Sequence, residues 1–234
     1  MMPVHAPDLS CNSCTIRTHP LFRHLEEQEL QEIMLNKITE TYKRGSIVYT
    51  EGTRMKGFCC VQSGIIKIFK TGFDGKEQII RFAKSGDVIG YRSVISNEPA
   101  CTTTEVIEDA VLCHIPARLL FTFIQNNGNF AVEMMKLTCK ELGEANSYIT
   151  DIAQKTVKER LAEILILLTE EFGEDVQGVL KITLTREELS NIVGTATESI
   201  IRLLSEFKSQ GFLELNGRKI KILDKPGLKY LANL

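Results

Sequence analysis

The sequence predicts an α+β chain: an N-terminal antiparallel β-roll of jelly-roll type, one long dimerisation helix, and a C-terminal helix-turn-helix with a β-hairpin wing. Three observations carry this. Between about Tyr42 and Pro116, short alternating segments are separated by glycines. From Ala131 to Ile152, apolar and small residues recur at heptad spacing. Between Thr183 and Ile222, helix-cap signals, a turn glycine and an Asn-Gly hairpin follow in close order.

Residues 1–19 are polar, contain proline and show no periodicity, so they read as an arm. Pro20–Ile38 reads as a short helical segment, with Leu21, Leu25, Leu30, Ile33 and Met34 at helix-like spacing. Strands are expected at Ser46–Tyr49, Cys59–Gln62, Ile65–Phe69, Gln78–Phe82, Thr103–Ile107 and Val111–Ile115. Gly45, Gly52, Gly64, Gly72, Gly75, Gly86 and Gly90 fall at their joints. Many short strands at this spacing form a small barrel or roll whose interior can hold a small ligand. The expected organisation is an arm over 1–19, a roll over 20–128, a long helix over 129–154 and a winged domain over 155–234.

After Pro116 the pattern turns helical. Ala131, Met135, Thr138, Leu142, Ala145, Ile149 and Ile152 step alternately by four and three residues, which keeps one stripe facing a partner helix. The alternative is a helix that packs this stripe on its own β domain.

The C-terminal part carries three capping boxes: Thr156–Glu159, Thr185–Glu188 and Thr195–Glu198. In each, the Thr hydroxyl satisfies the third helical N–H and the Glu reaches back to the cap. Leu189, Ser190, Val193 and Gly194, followed by Ile200 and Leu203, supply a close approach and shared core for two short helices. The helix from Ala196 to about Gln210 is the expected reader of a DNA groove, with Thr195, Thr197, Ser199 and Arg202 outward and Glu198 on the same face. Arginine can bond guanine bidentately, and glutamate can accept from cytosine N4. Asn216-Gly217 joins two alternating segments as a hairpin, placing Arg218, Lys219 and Lys221 near phosphates. Thr185 and Arg186 are counted with the same DNA-facing set. The competing interpretation is a helical pair with a hairpin used only for packing, where Glu198 and Arg202 form a surface ion pair.

Charge distribution fits double-stranded DNA as the partner. The whole chain carries a net charge of −2, but from Gly178 onward nine Lys/Arg face six Asp/Glu, leaving +3 there and −5 before it. The start has no secretory pattern, and the longest aliphatic run, Ile164–Leu168, is far short of a membrane span, so a cytoplasmic chain is expected. Seven cysteines at irregular spacing do not form a secreted disulfide framework. Phosphate-binding loops, nucleophile elbows and zinc-protease motifs are absent and there are four histidines, so no catalytic residues are assigned and no enzyme is expected.

In order along residues 20–225, the chain resembles the CRP/FNR family of bacterial regulators, the cyclic-AMP receptor protein and fumarate-nitrate regulator type. The resemblance rests on Lys43–Gly52, Val61–Lys67, Gly86–Gly90, the seam helix, and Leu184–Gly194 with Glu198 and Arg202. It implies a cyclic-nucleotide-binding-like roll acting as sensor, a homodimer that reads a palindromic site, and contact with RNA polymerase if the chain activates. The signal biases the pose of the reader helices by a population shift. An effector pocket would involve Gly90, Tyr91, Arg92, Cys101, Thr102, Ala145 and Asn146. Where cyclic-AMP binders carry a ribose-bonding Glu and a phosphate-bonding Arg-Ser pair, this sequence has Tyr91, Cys101 and Thr102, so cyclic AMP in the usual manner is not expected. The oxygen-sensing branch implies an iron–sulfur cluster. Here Cys11, Cys14 and Cys113 occupy three ligand positions, while Pro20 stands at the fourth. Cys11 and Cys14 thus carry three open readings: a cluster completed by another residue, a zinc site, or a thiol switch. Two other readings of the whole chain compete: a cyclic-nucleotide-type module acting on a protein partner, and a DNA binder that needs no effector.

Overall fold

The computed structural model describes residues 4–5 and 19–234. Two compact units emerge, Met1–Glu141 and Leu142–Leu234. In the first, β1 (Val4–His5), β2 (Ile38–Tyr42), β3 (Ile47–Tyr49), β4 (Gly57–Thr71), β5 (Glu77–Ala83), β6 (Val88–Ile89) and β7 (Thr103–Pro116) form one seven-stranded sheet. Its main path runs β1-β2-β7-β4-β5, with β3 on β7 and β6 on β4. Helices α1 (Glu27–Asn36), α2 (Tyr91–Ser96) and α3 (Ala117–Asn126) accompany it. The long helix α4 (Gly128–Gln154) begins in the first unit and ends in the second.

Alternation along β4 builds two apolar layers, because successive side chains point to opposite faces of a strand. Phe58 and Cys60 join Leu21, Phe22, Leu30, Ile33, Leu120, Phe130 and Met134 on one side. Cys59 and Val61 join Tyr49, Ile66, Ile68, Val106, Ala110 and Leu112 on the other. Within this frame Lys67, only 5% exposed, lies between Glu77 at 2.7 Å and Glu105 at 2.9 Å, and its ammonium sits 4.5 Å from the Phe69 ring centre. Burial works to lower the Lys67 pKa, but the two carboxylates outweigh it and hold the pKa above the ordinary lysine value.

Three local expectations change. The segments Cys59–Gln62 and Ile65–Phe69 are one strand, as are Thr103–Ile107 and Val111–Ile115. The glycine between the first two marks a bulge and not a turn: the β4–β7 register shifts between Val61 and Ser63, between Ser63 and Ile65, and again between Ile65 and Ile66. Gly64 sits there at φ +89°, where a Cβ would stand 2.5 Å from the Asp109 carbonyl oxygen. The N-terminal helical segment stops at Asn36, and Ile38–Tyr42 pairs with Ala110–His114 as a strand. Tyr91–Ser96 forms a helix that the alternation pattern does not reveal.

The second unit contains the end of α4, then α5 (Val157–Phe172), α6 (Arg186–Val193), α7 (Thr197–Ser209), the hairpin β8 (Leu213–Asn216) and β9 (Lys219–Ile222), and α8 (Lys225–Leu231). Leu161, Leu165, Leu189, Val193, Ile200, Leu204, Phe207, Leu213 and Leu228 are its buried core. Phe207 and Phe212 meet edge to face, with ring centres 5.9 Å apart. Thr156 and Thr185 cap α5 and α6, each hydroxyl accepting from the backbone N–H of the Glu three residues on.

Gly64→Ala should destabilise the first unit by about 2–4 kcal/mol, combining left-handed strain with overpacking against β7. Gly75→Ala, at φ +80° in open space, should cost only about 1 kcal/mol. Urea unfolding of the two variants checks this ordering, which equal losses would contradict.

Candidate nucleic-acid interface

The two helices of the motif are joined through Ser190. Its carbonyl accepts from the N–H of Gly194 at 2.9 Å and of Thr195 at 3.1 Å. Its hydroxyl meets the Thr197 hydroxyl at 3.0 Å. Gly194 is left-handed (φ 73°, ψ 54°), a geometry that closes α6 and turns the chain into α7. Leu189, Ile192 and Val193 on α6 and Ile200, Leu203 and Leu204 on α7 are all buried, as a shared core requires.

This turn displaces the third expected capping box. Thr195 is consumed in closing α6, so the N-cap of α7 is Ala196, which makes no side-chain cap hydrogen bond. Thr197 turns inward to Ser190 and Ser199 is half-buried, so neither is part of the fully open face. The exposed stripe of α7 is Glu198, Ile201, Arg202 and Ser205, at i, i+3, i+4 and i+7. Ile201 is 50% exposed and was not among the expected readers, although helical period counted from Glu198 places it on their face. Arg202 sits in the field of Glu206, whose carboxylate is already bonded by Lys158 at 2.6 Å and held below the usual range by it.

The hairpin loop consists of Gly217 and Arg218, one residue later than an Asn216-Gly217 loop. Asn216 pairs with Lys219, and Gly217 takes φ 59° at the first loop position. Arg218 and Lys219 are exposed at its tip. Arg186 donates from Nη2 to the Gly217 carbonyl at 2.8 Å, which fastens the hairpin tip to the start of α6. Thr185 is occupied as the α6 cap.

Residues 39–127 match the model of the cyclic nucleotide-binding domain, and residues 159–231 match the Crp-like helix-turn-helix domain. The chain belongs to the CRP/FNR family of transcription regulators. Electron transport regulator A of Shewanella oneidensis is 28% identical over 229 residues, covering 96% of this chain and 90% of that protein. The fumarate and nitrate reduction regulatory protein of Escherichia coli K12 is also 28% identical, over 231 residues, with the same coverage. A CRP/FNR-family regulator from Eubacterium rectale superposes with a TM-score of 0.75 at 25% identity, over 92% of this chain and 98% of that one. FixK2 from Bradyrhizobium japonicum shares the fold at a TM-score of 0.76 and 24% identity, over 83% and 96% of the two chains. As a CRP/FNR regulator, the protein binds DNA through its helix-turn-helix.

In this regulator the residues expected around an effector are dispersed in character. Tyr91 is 2% exposed and belongs to the apolar layer with Phe58, Val94 and Phe130. Its hydroxyl lies toward Glu141 and Thr138 without closing a hydrogen bond of normal geometry, and burial followed by Glu141 pushes its pKa up. Gly90 is the left-handed N-cap of α2 (φ 79°). Arg92 is exposed and donates to the Cys101 sulfur at 3.0 Å, while Thr102 is half-buried. Ala145 and Asn146 are exposed on α4. Cys11 and Cys14 lie outside the described residues. Cys113 is buried, with its sulfur 3.6 Å from the Thr39 hydroxyl and 3.8 Å from Gln62 Oε1. Among the described residues no three His, Cys, Asp or Glu side chains converge in a metal-holding geometry.

Thr185→Ala should cost about 1 kcal/mol of domain stability, the usual value of a lost N-cap. Ala196→Gly should cost nothing measurable, because Ala196 at the N-cap of α7 makes no side-chain cap hydrogen bond. Thermal unfolding of the two variants checks this, and an equal loss would contradict it.

Proposed function

We propose that this regulator is a homodimer that reads a palindromic site in double-stranded DNA, in the cytoplasm, under control of a signal sensed by the β-roll. The observation that carries this is the outer face of α4. Phe130 and Met134 are buried against the roll, but Met135, Leu142 and Ile149 on the other face are 59%, 62% and 66% exposed, and Ile152 is 45% exposed. This exposure supports a seam on the outer face over a stripe packed on the chain's own β domain. A second copy of the same stripe covers it, with Ala131, Thr138 and Ala145 as the small positions that let the helices approach.

Reading is assigned to Glu198 and Arg202, flanked by Ser199 and Ile201. Arg202 bonds a guanine edge, Glu198 accepts from cytosine, and Ile201 supplies an apolar contact for a thymine methyl. Arg218 and Lys219 at the hairpin tip bind phosphates, and Thr195 and Thr197 lie at the edge of the contact. Arg186 acts by holding the hairpin. If the regulator activates, its further partner is RNA polymerase.

A cyclic nucleotide in the usual manner does not fit. The position of the ribose-bonding carboxylate is filled by a core tyrosine, and the position of the phosphate-bonding pair by Cys101 and Thr102. The signal is proposed to act otherwise, through another small molecule or through the N-terminal cysteines Cys11 and Cys14.

Site selection from randomised duplexes, followed by binding assays with the purified chain, tests the reading. Recovery of sites without two-fold symmetry would overturn it. Arg202→Ala should lose about 1–3 kcal/mol of discrimination at one base pair in each half-site and leave the dimer intact. Leu142→Arg should give a monomer by light scattering, and an unchanged dimer mass would remove the seam from this face.

A further inference from the structure

The last carbonyls of α6 and its cap have no partners within that helix, as at every helix end. Here they are met by donors from two other elements. Tyr148, on α4, donates its hydroxyl to the Ile192 carbonyl at 3.3 Å. Arg160, on α5, donates from Nε to the Val193 carbonyl at 3.0 Å and from Nη2 to the Gly194 carbonyl at 3.4 Å. Its third nitrogen, Nη1, donates to the Lys155 carbonyl at 2.7 Å, at the junction between α4 and α5.

Arg160 is only 9% exposed, and these three bonds are all to carbonyl oxygens. A buried cation needs complete hydrogen bonding, and the negative end of a helix dipole is a favourable place for it. The junction is fixed from the other side too. Lys155 pairs with Asp151 of α4 at 3.0 Å and with Glu163 of α5 at 2.8 Å. One guanidinium thus joins the α4–α5 junction to the turn from which α7 departs.

We propose that Arg160, with Tyr148, is a positioning residue for DNA reading: the pair transmits the orientation of α4 to the turn preceding the reader helix. This rests on the dimeric, palindrome-reading function proposed above. A guanidinium can serve three acceptors on two elements because its donors fan out in a fixed plane, which a lysine ammonium cannot reproduce. In the dimer, the clasp then sets the separation and pitch of the two readers. Its loss would leave each reader intact on its own half-site.

The experiment uses the full chain, its selected palindrome, the same palindrome with one base pair inserted at the centre, and an isolated half-site. Binding is measured by fluorescence anisotropy for the wild type, Arg160→Lys and Tyr148→Phe, alongside dimer mass and thermal unfolding. The wild type should prefer native spacing. Arg160→Lys should lose about tenfold or more on that duplex, the scale of charge-assisted hydrogen bonds, with half-site binding unchanged and the spacing preference collapsed. Tyr148→Phe should show the same pattern more weakly, and it carries the test if Arg160→Lys does not fold. A folded variant that keeps the full spacing preference overturns the inference. So does one that loses affinity equally on all three duplexes, because that is a structural defect of the domain. A wild type with no spacing preference overturns the dimeric reading, and this inference with it.

Discussion

A helix that is apolar on two faces needs two partners. α4 is 27 residues long, about 40 Å at 1.5 Å per residue. Its roll-side face is satisfied within the chain by Phe130 and Met134, which complete a layer built on Phe58, Phe123 and Ile115. Its outer face leaves Leu142, Ile149 and Met135 in water, and each such side chain gains roughly 1.5–3 kcal/mol when fully buried. An outer stripe repeating at heptad spacing is complementary to itself. A second copy is therefore the cover proposed for it, and under that proposal two-fold symmetry in the protein calls for two-fold symmetry in the DNA it reads.

Two buried cations show what the fold holds fixed. Lys67 is enclosed by Glu77 and Glu105 from neighbouring strands of one sheet, and its pairs lock strand register within a single layer. Arg160 is enclosed by carbonyl dipoles contributed by the α4–α5 junction and by the end of α6. The first arrangement fixes an element within itself; the second fixes one element against another. Removing one partner from a buried charge is costly, so both geometries are held over a narrow range. The difference lies in what moves with them: strand register does not reach the DNA, but the turn before α7 does.

The parts legible in the sequence are those set by neighbours in the chain. The Thr156 and Thr185 caps and the turn at Gly194 each depend on residues within a turn or two, and each is where the spacing puts it. Gly64 shows the limit. A turn glycine and a bulge glycine both require φ > 0, and only the opposing Asp109–Ala110 backbone tells them apart. The start of α7 shifts for a similar reason: the Ser190 carbonyl claims the Thr195 N–H from the preceding helix, and the N-cap falls on Ala196. Ile201 lies within reach of the periodicity, but an aliphatic residue in that pattern reads as core. Arg160 and Tyr148 carry no local signal for this role, because their acceptors at the end of α6 lie more than thirty residues away in the chain.

Tyr91 bears on how the regulator is switched. Its ring is among the largest fully buried side chains and packs into the same layer as Phe22, Phe58 and Phe130. A ligand entering there must first expel that ring, which costs about 3–5 kcal/mol by analogy with truncating a buried aromatic. Driving a two-state equilibrium from one side to the other needs about 5.5 kcal/mol of differential binding in addition. A signal that leaves Tyr91 seated avoids the first cost entirely. It needs only to bias α4, whose C-terminal part is already bonded to the DNA-reading motif through Tyr148. The physical threshold is therefore lower for a signal delivered to α4 than for one delivered to the core of the roll.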